Sequence, residues 1–491
     1  MEFTKASLIA FSGTIHVMAL KSSKRMNCYA RNLSINTGRK GMSNAKGARA
    51  LPLSMVIGYG SGDFGLNLFY TGLNLYLLYY YTDVVGLEPG IAGTIFMTAL
   101  LWDAVTDPFM GVIASRTRSR FGRYRPYLLF AGPALGASFV LLFAAPVLWA
   151  SSVTLACFLS HFLFRTVYTV FGVPYASISA AMTTSGKART SLSGARMQFA
   201  TMGAIATAFL TPWLAERFGQ GDLIRGYMLT AVVYACFAEG VFLLAFFSVR
   251  ERVETDAKSL SLRDTLKVTR GNHAFWILFA GVVLNALAST VFTKSIVYYA
   301  RYIIGEPAAV REALTLYTIA AAAAVLAWTA LARMTSKSRV LTVGLLLNAC
   351  ALFALYVLAP EDKGLFFLFV ILAGIGMAAT IVAFWAMLPD TVEYGEWKTG
   401  IRDESIFFGL FQFSQKAASG LGVGAVGLIL QAIGYVANTD QSSQTLSGLR
   451  LMAFLLPAIF ALLATLIMQF YPLKGRRHEE IVALLKERES V

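Results

Sequence analysis

Long apolar runs broken by short polar stretches dominate the chain from Leu53 onward. They fall near residues 53–83, 89–115, 126–149, 153–182, 191–215 and 226–249, then 274–303, 310–333, 339–359, 364–389, 405–434 and 449–471. A helix needs roughly 20 apolar residues to cross a bilayer, and these runs reach that length. They are too long for barrel strands, and backbone groups in lipid must be satisfied internally. The pattern predicts an all-α integral membrane protein with twelve transmembrane helices. The longest polar connection, Arg250 to His273, divides six spans from six. The expected domains are a six-helix half at 51–250, a central loop at 251–273, a second six-helix half at 274–471 and a tail at 472–491. Residues 1–50 are polar and basic, and are read as a poorly ordered extension with Met42 as an alternative start.

Composition agrees with the pattern. The 491 residues are 57% hydrophobic and only 14% charged, too little charge to cover a soluble protein of this size. The net charge of +15 would suggest nucleic acid in a soluble chain, but here it lies in short loops between apolar runs. Arg116, Arg118, Arg120, Arg123 and Arg125 crowd one loop, Lys187 and Arg189 another, and Arg333, Lys337 and Arg339 a third. The alternate loops carry few basic residues, so the positive-inside rule puts both termini and the central loop in the cytoplasm of a cell (inner) membrane protein. No nucleic-acid partner is expected. Two six-span halves around a basic loop match the major facilitator architecture, although shape alone names no solute.

Charges inside spans are costly, so they point to function or internal pairing. Asp103 and Asp107 are four apart on span two, hence on one helix face. Two acids held close in low dielectric repel, and a bound cation or proton relieves that repulsion. Span one offers Asp63 and Asn67 on one face. Span four aligns His161, Arg165, Tyr168 and Thr169 on one side, with Arg165 near mid-span. Arg165 would either pair with an acid such as Asp63 or Asp103, or hold a solute. Lys294, Lys416 and Arg196 are further intramembrane cations, and Arg196 would suit a cytoplasmic charge lock equally well. Trp385 in span ten is counted with the solute-lining residues. Tyr79, Tyr80 and Tyr81 are read as an interfacial belt.

Several stretches together resemble one family. They are YYYTDVVGL (Tyr79 to Leu87), WDAVTDPFMG (Trp102 to Gly111), RSRFGRYRPY (Arg118 to Tyr127), VPYASISAAMT (Val173 to Thr183), RTSLSGAR (Arg189 to Arg196) and LPDTVEYGEWKTGIRDESI (Leu388 to Ile406). Their order and spacing resemble the glycoside–pentoside–hexuronide:cation symporters from about Leu53 to the end of span twelve. The resemblance implies secondary active transport of a sugar or sugar acid with Na⁺ or H⁺, no cofactor, and no metal beyond the coupling cation. It implies that Asp103 and Asp107 are the cation carboxylates, that Thr169 adds a hydroxyl, and that Lys416 lies close by. A well-studied member has an Asn just before its second acid, where this chain has Thr106. That member holds sugar hydroxyls with an Asp in span one and another in span four, where this chain has Asn67 and Gly172. Losing two acids while gaining Arg165 leads us to expect an anionic saccharide held by Arg165 and Lys294, with Asp63, Asn67, Tyr168, Arg196, Trp385 and Lys416 around it.

The loops suggest a gate in which Arg118, Arg123 and Arg189 of the first half pair with Asp390, Glu393 or Glu404 of the second. The expected partners are the saccharide, a monovalent cation and the bilayer, for a monomeric carrier. An enzyme lacks support, because the four histidines are scattered without metal-like spacing and no GxSxG or Walker A pattern occurs. A lipid or other small-solute carrier of the same fold and a non-transporting membrane sensor are the alternatives.

Overall fold

The structure is a computed structural model that describes residues 51–183, 186–251, 269–359, 362–400, 404–474 and 477–489. The expected extension at residues 1–50 and most of the central loop lie outside the described residues. Among the described residues twelve long helices follow one another: α1 Leu53–Tyr79, α2 Pro89–Arg116, α3 Arg125–Leu148, α4 Val153–Met182, α5 Gly186–Gly219 and α6 Leu223–Ser248. The second set is α7 His273–Tyr299, α8 Pro307–Met334, α9 Lys337–Leu358, α10 Lys363–Thr399, α11 Glu404–Ala432 and α12 Ser443–Gln469. A thirteenth helix, α13, spans Arg477–Glu489. By length and hydropathy, ten of the twelve can cross a membrane. The other two, α1 and α5, have 27 and 34 residues and carry more glycine and polar side chains, which lowers their hydropathy.

Local chemistry sets the boundaries. Asp222, Asn272, Ser336, Asp362 and Ser442 each accept a hydrogen bond from a backbone N–H in the first turn of the helix that follows. Pro89 opens α2, where its missing N–H costs nothing. The π-turns Tyr80–Val84 and Ala300–Ile304 extend α1 and α7. Hydropathy ends span ten at residue 389, but α10 continues through Asp390 and Glu393 to Thr399. Nothing in that stretch breaks a helix until Gly400, which takes a left-handed φ of 72°.

The packing repeats after six helices. In the first half α1 packs on α5 and α6, α3 on α4 and α6, and α2 on α4. In the second half α7 packs on α11 and α12, α9 on α10 and α12, and α8 on α10. The contacts between halves obey the same shift: α2 meets α11, α5 meets α8, and α1 meets α7. Each half is thus one packing of six helices used twice, as in a parallel repeat. Small residues permit the closest approaches. A Cβ on Gly93 of α2 would stand 2.8 Å from Cα of Gly427 on α11.

Candidate functional site

Helix α2 presents Asp103 and Asp107 on one face, and α4 presents Arg165 and Thr169 opposite them. The Thr169 hydroxyl lies 2.6 Å from Oδ1 of Asp103 and 3.0 Å from Oδ1 of Asp107. It has one proton and therefore donates to one acid at a time. Lys416 reaches across from α11, with Nζ 3.0 Å from Oδ2 of Asp103 and in direct contact with Oδ2 of Asp107. Arg165 Nη1 stands 3.6 Å from Oδ2 of Asp103. Two acids thus face two bases, and the cluster is formally neutral. Asp103 and Arg165 are each 1% exposed, whereas Asp107 is 26% and Lys416 23% exposed, so the latter two form the accessible side. Asp103 Oδ1, Asp107 Oδ1 and Thr169 Oγ1 converge, and oxygen donors of this kind suit a hard cation. Thr106 turns back on its own helix, bonding the Trp102 carbonyl at 3.0 Å.

The remaining candidates form separate groups. Arg196 grips Asp63 through two nitrogens, the second at 3.2 Å, and its guanidinium lies over the rings of Tyr59 and Tyr175. Arg196 and Asp63 thus form an ion pair between α1 and α5. Asn67 donates to the Asp63 carbonyl at 2.9 Å. Lys294 is 3% exposed, donates to the Asn74 carbonyl and sits 4.1 Å above the Phe96 ring. Tyr168 stacks on Tyr70 at 6.1 Å. Trp385 rests on Phe411, 5.0 Å between ring centres. Arg165, Lys294 and Arg196 thus each have a partner inside the protein, while Arg165 Nη2 is buried with no hydrogen-bond partner among the described residues.

Beside the acid pair lies a cavity of about 260 Å³. Tyr70 and Asn74 line it from α1, Asn285 and Ser289 from α7, and Gln412 and Gln415 from α11, with Asp103 and Lys416 at one edge. Sequence reasoning missed this wall of amides and hydroxyls. The four-residue step from Asn285 to Ser289 in an apolar run was the available signal. The interfacial belt is also corrected. Tyr80 and Tyr81 are fully buried, and their hydroxyls are satisfied by the carbonyls of Phe143 at 2.6 Å and Cys157 at 3.4 Å.

A second polar cluster, which the sequence pattern does not reveal, links the two halves at one end of the bundle. Asp83 accepts from Tyr302 at 2.5 Å, Tyr435 at 2.6 Å and Thr82 at 2.7 Å. Asn438 bonds the Asp83 carbonyl at 2.7 Å, and Arg301 bonds Tyr79. This ties α1 of the first half to α7 and the α11–α12 connection of the second. At the opposite end Lys337 holds both oxygens of Asp390, at 2.7 and 2.9 Å, and His478 contacts Glu393 at 2.6 Å. The expected gate acids Asp390 and Glu393 therefore pair within their own half. Arg118 bonds the carbonyls of Ser115 and Thr117, and the Arg123 backbone N–H donates to Glu251 at 2.8 Å. The side chains of Arg189 and Glu404 lie outside the described residues.

Comparison with known proteins extends this picture. Residues 58–475 match the family described as MFS/sugar transport protein. The chain is 29% identical over 439 residues to a glucuronide carrier protein homolog of Escherichia coli (strain K12), covering 89% of this chain and 96% of the relative. It is 29% identical over 432 residues to an isoprimeverose transporter of Lactiplantibacillus pentosus, covering 86% and 89% respectively. A bacterial homolog of the human lysosomal transporter Spinster, solved in an inward-facing and unoccupied conformation, shares the fold. Its TM-score is 0.65 at 14% identity, over 87% of this chain and 97% of that one. With twelve helices in two repeated halves and charges gathered at their junction, the chain belongs to the MFS/sugar transport protein family, whose members are transporters and not enzymes.

Proposed function

We propose that this protein imports a saccharide by symport with Na⁺ or H⁺, through alternating access around the Asp103–Asp107 cluster. The carrying observation is the acid pair bridged by Thr169 with the Lys416 ammonium against both carboxylates. Lys416 supplies the charge that a coupling cation would otherwise supply. A cation arriving at Asp103, Asp107 and Thr169 competes with that ammonium and frees Lys416 toward the neighbouring cavity, where Gln412, Gln415, Asn285 and Ser289 offer hydrogen bonds to hydroxyls. Cation and solute then favour each other's binding reciprocally. By the positive-inside rule the Asp83 end faces outward and the Asp390 end faces the cytoplasm. The cluster around Asp83 then belongs to the state closed to the outside.

An uncharged wall favours a neutral glycoside, and the named activity of the isoprimeverose transporter points the same way. An acidic saccharide is the second reading, favoured by the named glucuronide carrier relative and by Arg165 Nη2, which is buried without a hydrogen-bond partner among the described residues. Proteoliposome uptake of neutral and acidic saccharides under separate Na⁺ and H⁺ gradients tests both readings. Gradient-driven uptake should fall at least ~100-fold in Asp103→Asn, about 2.7 kcal/mol, because the substitution removes one of the two charges the cation needs. Saccharide uptake that ignores both gradients and survives Asp103→Asn would overturn the symport reading.

A further inference from the structure

We infer that the cluster at the Asp390 end is a divalent transition-metal site that ties the C-terminal helix α13 to α10. The inference does not depend on the saccharide or on the coupling ion. Asp390 and Glu393 lie three apart on the extension of α10, hence on one face. His478 sits in the first turn of α13. Its Nε2 is 2.6 Å from Glu393 Oε2 and 3.5 Å from Asp390 Oδ1. One ligand atom from each of the three lies within 4.8 Å of the other two. Ligands bound at ~2.1 Å to a tetrahedral ion stand about 3.4 Å apart, so small side-chain movements close the set. One imidazole nitrogen with two carboxylate oxygens suits Zn²⁺ or Co²⁺ better than Ca²⁺ or Mg²⁺, which take oxygen alone.

A second observation points to a ligand here. The Tyr471 side chain is 2% exposed, and its hydroxyl has no hydrogen-bond partner among the described residues. It lines the same cavity of about 340 Å³ as Asp390, His478 and Lys337. A buried hydroxyl without a partner is costly, and a water or hydroxide on an open metal position would serve it.

Lys337 is the competitor. Its ammonium holds both Asp390 oxygens and also donates to the Ala386 carbonyl at 2.9 Å. A metal ion must take Asp390 from it, while the Ala386 carbonyl can keep the ammonium nearby. Removing Lys337 should therefore strengthen metal binding, a direction that general damage to the fold would not produce.

The test is Co²⁺ titration of the tag-free full chain in detergent, read by visible d–d absorption. We expect one saturable band in the wild type. It should be lost in His478→Ala, at least tenfold weaker in Glu393→Gln and about tenfold tighter in Lys337→Ala. His478→Cys, which puts a thiolate ligand at the same position of α13 in place of the imidazole, should restore a band and add thiolate charge-transfer absorption. Thermal melting without metal identifies variants that fail to fold, and in that event the Lys337→Ala and His478→Cys results decide. Equal Co²⁺ affinity in wild type and folded His478→Ala overturns the site. So does the absence of a band in both wild type and Lys337→Ala at millimolar Co²⁺.

Discussion

The two ends of the bundle use the same kinds of side chain for different tasks. At the Asp83 end, one buried carboxylate of the first half collects hydroxyls from the second half, and glycines bring α2 against α11. At the Asp390 end, an equally buried carboxylate is neutralised inside its own half by Lys337, with His478 of α13 beside it. The first arrangement makes closure depend on both halves meeting. The second keeps one half and its C-terminal helix together as a unit. A carrier that rocks about a central site needs a breakable contact between halves and firm contacts within each.

Breaking the close approach of helices should have the largest effect on this comparison. Gly93→Val puts a side chain where a Cβ already meets Gly427 at 2.8 Å and the Gly424 carbonyl at 3.2 Å, so α2 and α11 must separate. Transport should fall roughly 5- to 150-fold, because overpacking costs roughly 1–3 kcal/mol and here falls on the closed state alone. A cysteine at Tyr70, in a background without the native cysteines, should then label readily from the Asp83 side. Labelling no faster than in the parent would place the close approach outside the closure.

Asp83→Asn comes next. It removes the charge that strengthens the bonds from Tyr302 and Tyr435 while leaving an acceptor in place. With hydrogen bonds to charged groups contributing about 1.5–3 kcal/mol against about 1 for neutral ones, the closed state should lose ~1–3 kcal/mol. The same labelling should accelerate roughly 5- to 150-fold.

Lys337→Ala should matter least in that assay. Its partners Asp390 and Ala386 belong to its own half, so labelling from the Asp83 side should stay within about twofold of the parent, the range of a change that is roughly 0.4 kcal/mol or less. A large change would mean that the Asp390 end also senses the meeting of the halves.

The fold was legible because lipid is an unforgiving solvent. Backbone groups must pair within each helix, so apolar length marks ten of the twelve spans, and α1 and α5 show as weaker runs with more glycine and polar residues. The acid pair was legible for the same reason. Two carboxylates one helical turn apart in an apolar run are too costly to keep unless a cation or a base stands beside them. The roles of single basic residues were not legible. Arg165 read equally well as a solute ligand and as a partner for Asp103, and the choice required α4 to be placed beside α2. The amide wall at Asn285, Ser289, Gln412 and Gln415 was missed because uncharged polar side chains carry a weak signal in sequence. The end of span ten was misplaced because hydropathy falls at Asp390 while the helix does not stop.

The chain by itself determined that this is a helical membrane protein of two six-helix halves, that Asp103 and Asp107 share a face, and that the short loops divide by charge. Those are one-dimensional properties, set by length, period and side-chain type. Tertiary structure alone decided that the Lys416 ammonium contacts both acids, 309 positions beyond Asp107, where the resemblance had implied only that it lies close by; it alone decided that Asp83 finds Tyr435 352 positions along the chain and that His478 joins Glu393. Pairings of that kind arise because a charge in an apolar bundle must find whichever partner the packing brings within reach, and sequence distance says nothing about which one that is.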